Sequence, residues 1–156
     1  MISIGYTTDV KKVVSLLNGI DDEFYPPISV QEGGIDKYTE ILVNNGKIIV
    51  GESDEKIAGF AGYFIKDGSL NFDILWVEKE YRKSPVLYRI LQYVFQQEPC
   101  DGTVVVKTHD KNTAMASVLN KLNFKKDSVI RGDYVPDRTS IIFKADIRDI
   151  RKYFGV

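Results

Sequence analysis

Cysteine is almost missing from this chain of 156 residues: Cys100 stands alone. An internal disulfide is therefore excluded. With His109 the only histidine, no Cys/His cluster exists that could hold zinc. Neither residue has sequence neighbours that would complete a nucleophile–base set, so Cys100 is expected to be inert and His109 to be a loop residue. Net charge is nearly absent as well. Lys and Arg number 21 against 22 Asp and Glu, a formal charge of −1, so no overall field draws the chain to nucleic acid or to an anionic membrane. No apolar run approaches the roughly 20 residues that cross a bilayer. The start, MISIGYTTDVKK, lacks the basic opening and apolar core of a signal peptide, and a cytoplasmic protein is expected. Repeats, low-complexity tracts and linkers are also missing. What is present is an ordinary globular composition, 44% hydrophobic and 28% charged, over a length suited to one domain spanning 1–156 with a real core.

Ile2–Tyr6 alternates like a short strand. Thr8 or Asp9 can cap a helix over Val10–Leu17, whose apolar face is Val10, Val13, Val14 and Leu17, and Asn18-Gly19 is expected to end it. Asp21–Pro27 cannot continue a helix and reads as a loop, followed by a weaker helix over Ile35–Val43. Three strands come next: Lys47–Gly51, Lys56–Ile65 and Leu70–Val77. The Asp67-Gly68 step between two apolar runs is a strong hairpin signal, and the three form an antiparallel meander.

The pattern then changes. Pro85 suits the first turn of a helix and Ser84 its cap; Leu87, Ile90, Leu91 and Val94 form the buried stripe, and Pro99 ends it. Thr103–Lys107 is a continuous β-branched run, as expected of a strand buried on both faces. A helix opening at Asn112 buries Met115, Val118, Leu119 and Leu122. Strands at about Phe124–Ile130 and Ser140–Ala145 follow, with a short helix over Asp146–Phe154. The strand–helix–strand crossover from Leu70 to Lys107 requires a parallel pair inside an otherwise antiparallel sheet, with helices on both faces.

Two segments carry the functional signal. Asp73–Val94 (DILWVEKEYRKSPVLYRILQYV) runs from a strand through a basic loop into an amphipathic helix. A helix N-terminus beside Arg82 and Lys83 is a place to hold phosphate, because the first amides lack partners and the dipole is positive there. Asn112–Phe124 (NTAMASVLNKLNF) is a helix that opens on a capping Asn and ends on Asn-Phe.

This order of elements, with these two segments, resembles the GNAT superfamily of N-acetyltransferases over nearly the whole chain. The resemblance implies an α/β fold with a mostly antiparallel sheet of six or seven strands and one parallel pair at a cofactor cleft. It implies acetyl-CoA as co-substrate and a primary amine, on a small molecule or a protein, as acceptor. The family's loop Arg/Gln-x-x-Gly-x-Gly/Ala corresponds to Arg82-Lys83-Ser84-Pro85-Val86-Leu87, which has neither glycine. The resemblance gives pyrophosphate binding to Arg82, Lys83, Ser84, Val86 and Leu87. Leu75, Trp76 and Val77 take the positions whose backbone meets the thioester, and Asn112 the position beside the pantetheine arm. Asp73 falls where several members place the general base. The Tyr that protonates the departing thiolate in many members is Leu119 here, and leucine has no proton to give. The acceptor side in such folds is built from the first two helices and the last hairpin, here Asp21–Tyr25 and Asp133-Tyr134. A monomer or homodimer is expected, without nucleic acid or membrane partners. The alternative is a GNAT-like domain without catalysis that binds CoA or another protein.

Overall fold

The computed structural model describes residues 1–156. The chain alternates β1 (Ser3–Tyr6), α1 (Val10–Ile20), α2 (Gly34–Asn45), β2 (Lys47–Ser53), β3 (Lys56–Lys66), β4 (Ser69–Val77), α3 (Val86–Gln97), β5 (Thr103–His109), α4 (Thr113–Lys121), β6 (Lys125–Arg131), β7 (Thr139–Asp146) and α5 (Ile147–Phe154). Seven strands form one sheet in the order β1-β2-β3-β4-β5-β7-β6. Every neighbouring pair is antiparallel except β4–β5. The expected mixed sheet with one parallel pair is therefore present. No helix is long and apolar enough to cross a membrane.

The sheet separates two cores. One packs α3, α4 and α5 through Val86, Ile90, Val94, Leu119, Leu122, Ile147 and Ile150. The other packs α1 and α2 through Val13, Leu17, Ile20, Ile35 and Leu42. Helix α1 does not stop at Asn18-Gly19, as its sequence suggests, but continues to Ile20, because the Ile20 side chain is buried in this second core. The Asp67-Gly68 turn forms as expected, with positive φ at both residues (53° and 78°), the twist that matches a tight hairpin.

Strand β5 departs from expectation. Only Val104, Val106 and Thr108 are buried, and alternate residues are half-buried. Lys107 lies on that second face, where its ammonium meets Asp133 and Tyr134 of the β6–β7 loop. Strand β4 departs further. Its register against β3 steps from Gly62–Ile74 to Tyr63–Phe72, so Asp73 is an extra residue without a partner. A one-residue bulge turns the following side chains to the other face. Leu70 and Phe72 accordingly join the α3/α4/α5 core while Ile74 and Trp76 join the α1/α2 core. The sequence alternation, which puts all four on one face, is broken by this bulge.

Candidate active site

The bulge sits where the parallel pair ends. Residues Leu70, Asn71 and Phe72 pair with Val104, Val105 and Val106, and no pairing continues beyond them. Over Asp73–Val77 the two strands part and leave a cleft in the middle of the sheet. The Glu78 amide bonds the Ala58 carbonyl of β3. Alternation along the strand then turns the backbone N–H groups of Leu75 and Val77 the other way, into the cleft. Trp76, between them, turns its indole to the α1/α2 side, where Nε1 donates to Glu23 Oε1 at 3.2 Å.

The upper end of the cleft is the loop between β4 and α3. A short 3-10 turn (Lys79–Tyr81) leads to Arg82, Lys83, Ser84 and Pro85. Pro85, expected inside the helix, is its N-cap residue, and Ser84 is one position further out. The Ser84 hydroxyl donates to the Tyr81 carbonyl at 2.6 Å and accepts a long bond, 3.4 Å, from the Val86 amide. The first intrahelical bond is Arg89 N–H to the Pro85 carbonyl, so the Leu87 and Tyr88 amides have no acceptor within the chain. Two orphan donors at a positive dipole end, with Lys83 exposed beside them, make an anion site in physical terms. The missing glycines have a counterpart nearby. A Cβ on Gly59 of β3 would lie 2.7 Å from Ile90 Cδ1 and 2.8 Å from Val86 Cγ1. The first turn of α3 thus sits directly on bare backbone. Arg82 is already engaged at the mouth of the cleft. Its Nε donates to the Val77 carbonyl at 3.1 Å and its guanidinium pairs with Glu23.

Across the cleft, Asn112 caps α4 by accepting the Met115 amide at 3.1 Å. Leu119 is 1% exposed and belongs to the core between α3 and β5.

At the bulge, Asp73 is exposed and its Oδ2 accepts a hydrogen bond from the Tyr38 hydroxyl of α2. Burial, reinforced by the Asp73 carboxylate, pushes the Tyr38 hydroxyl well above its ordinary pKa. Tyr38 is therefore a fixed donor that leaves the other Asp73 oxygen free.

The two segments named for the acceptor side do come together. Arg138 of the β6–β7 loop bonds the Tyr25 carbonyl, and the Tyr25 hydroxyl bonds Asp137. Tyr25 also stands edge-on to His109, with ring centroids 5.6 Å apart. His109 Nδ1 accepts the Lys111 amide at 3.1 Å, which places the proton of the neutral ring on Nε2. Behind the loop, Lys107 pairs with Asp133 at 3.0 Å and stands over the Tyr134 ring at 4.2 Å. Burial alone would lower the Lys107 pKa, but Tyr134 and Asp133 outweigh it and raise it. Between these loops and α2 lies a half-open cavity of about 500 Å³, lined by Pro26, Val30, Gln31, Glu32, Gly34, Tyr38, Ile41, Tyr134 and Val135. Sequence reading missed Tyr38 and Ile41, since nothing along a helix marks which side chain faces a cavity, and Val30, which lies in a short turn ahead of α2.

No protein-family model matches this chain, and no curated protein sequence matches it. Solved structures do. A GNAT-family acetyltransferase from Bacillus cereus superposes with a TM-score of 0.69 at 18% identity, covering 94% of this chain and 97% of the other. Arabidopsis thaliana NAA60, solved with a bisubstrate analogue, gives a TM-score of 0.75 at 15% identity over 94% and 98% of the two chains. An aminoglycoside 6'-N-acetyltransferase complexed with coenzyme A gives 0.74 at 15% identity over 93% and 97%. The chain has the GNAT fold.

Proposed function

We propose that the chain is a single acyltransferase domain that moves an acetyl group from acetyl-CoA to a primary amine in the cytoplasm. One observation carries this reading: the β4–β5 pair opens at the Asp73 bulge, directly below an α3 N-terminus with two unpartnered amides. A solved protein of this fold was crystallised with coenzyme A. The pyrophosphate would lie on the amides of Val86, Leu87 and Tyr88 with Lys83 and Ser84 beside it, and Arg82 would brace the loop through the Val77 carbonyl and Glu23. The pantetheine would run between β4 and β5 past Asn112. The thioester carbonyl would meet the N–H groups of Leu75 and Val77 around Trp76, where the oxyanion forms.

In the chemical step the bound ammonium gives one proton to Asp73, the freed amine nitrogen forms a bond to the carbonyl carbon, the carbon–sulfur bond breaks, and the nitrogen's second proton passes to water. The departing alkyl thiolate, conjugate to an acid of pKa about 8.5, is stable enough to leave and be protonated by water. Leu119 therefore does not block the reaction. Its burial does favour one second reading, a CoA-binding or protein-interaction module without turnover. Release of free CoA from acetyl-CoA in the presence of an amine panel separates the two. Amine-dependent release supports the transferase. CoA binding without release supports the module.

A further inference from the structure

The cavity beside Asp73 has a chemistry of its own. Three of the chain's exposed large hydrophobic side chains line it: Val30 at 70% exposure, Tyr134 at 53% and Ile41 at 41%. Pro26, Val135 and the Tyr38 ring extend the same wall. Apolar surface gathered in a concavity marks a ligand site, and about 500 Å³ suits a small molecule. Glu32 is the sole charged lining residue. No Lys or Arg lines the cavity; of the cations near it, Lys107 pairs with Asp133, Arg138 bonds Ser140 and the Tyr25 carbonyl, and Lys37 is an exposed α2 side chain outside the lining.

These features discriminate among amines. A polyamine or an aminoglycoside carries several cations and needs several carboxylates, and it gains nothing from an aliphatic and aromatic wall. An amino acid brings its own carboxylate, which Glu32 repels and no cation in the lining receives. An amine on an apolar ring fits both parts. The ring lies on Val30, Ile41, Tyr134 and Val135, and the ammonium reaches past Tyr38 toward the free oxygen of Asp73. We propose that the acceptor is a monocationic arylalkylamine held in this cavity, a proposal that takes its chemistry from the acyl-transfer reading above.

Isothermal titration of the full chain, with and without saturating CoA, tests it. 2-Phenylethylamine should bind at least about ten-fold more tightly than propylamine or spermidine, which lack a ring to bury, and than phenylalanine, whose carboxylate Glu32 repels. Ile41→Lys should weaken phenylethylamine by about ten-fold and leave CoA affinity unchanged. Val30→Ser, at a side chain too exposed to threaten folding, should weaken it by about three-fold. Equal or tighter binding of spermidine, phenylalanine or phenylalanyl-alanine amide would overturn the proposal. So would phenylethylamine binding that ignores both substitutions, or no binding in either state. A chain that binds phenylethylamine but not CoA would keep the cavity assignment and defeat the acyl-transfer reading.

Discussion

At Asp73 the whole account narrows to one carboxylate. One oxygen is held by Tyr38 and the other has no partner within the chain, which leaves it open for the proposed base role. Asp73→Asn should lower turnover by about a hundred-fold and leave CoA affinity unchanged, because a base acts only in the chemical step. Steady-state kinetics beside CoA titration would expose an equal loss in both, which would make Asp73 structural. Leu119→Tyr tests the opposite position. The site is fully packed, so the larger ring should cost about 1–3 kcal/mol of stability in urea unfolding and restore no rate. A faster enzyme of unchanged stability would mean that this position does face the departing sulfur. Asp73 itself was named as a candidate by the resemblance, and its setting was not legible. Nothing in DILWV distinguishes a regular strand from one with an extra residue at Asp73, since apolar side chains continue on both faces. Tyr38, likewise, reads as one more member of a helix stripe.

At the scale of elements, the first turn of α3 depends on β3 as much as on its own sequence. Gly59→Val would drive a side chain into Val86 and Ile90 and push that turn off the sheet. Both melting temperature and CoA affinity should fall, the latter by about ten-fold if the amides lose their aim. Unchanged CoA affinity in a folded variant would place the anion elsewhere. The other end of α3 carries a different device. Buried Glu98 accepts from the Tyr63 hydroxyl at 2.6 Å, the Lys47 ammonium at 2.8 Å and the Tyr6 hydroxyl at 3.2 Å. Burial pushes the Glu98 carboxyl up, but Lys47, Tyr63 and Tyr6 outweigh it and hold its pKa below the ordinary value. A depressed folded pKa gives stability that is present above the unfolded value and lost as pH falls through the folded one. Melting temperature should therefore drop below about pH 4.3, and less steeply in Glu98→Gln. At neutral pH Glu98→Ala should cost about 1–3 kcal/mol by stripping the buried Tyr63 hydroxyl of its acceptor. Identical acid profiles for native chain and Glu98→Gln would remove this carboxylate from the acid transition. The helices and hairpins around these devices were legible because each is local: a cap, a stripe, an Asp-Gly turn. The Glu98 cluster was not, since it joins side chains from four elements that only the finished sheet assembles.

Over the whole molecule, sequence and structure agree on the order of elements, the single parallel pair and the helices on both faces. The crossover from Leu70 to Lys107 made the parallel pair unavoidable. The cavity was out of reach, because Pro26, Tyr38 and Tyr134 come from a loop, helix α2 and the β6–β7 loop, which only the finished fold brings together. The structure also changes which residue best tests the central claim. Arg82 is tied to Glu23 and Val77, so replacing it would disturb the loop as well as any phosphate. Lys83 is exposed beside the free amides and carries no such duty. The most direct measurement is calorimetric titration of CoA into the native chain and Lys83→Glu at low and high salt. One-to-one binding is predicted, weaker by about ten-fold in Lys83→Glu at low salt, with the difference shrinking as salt screens the charge. No binding by the native chain, or equal affinity in the two proteins at low salt, would contradict the account.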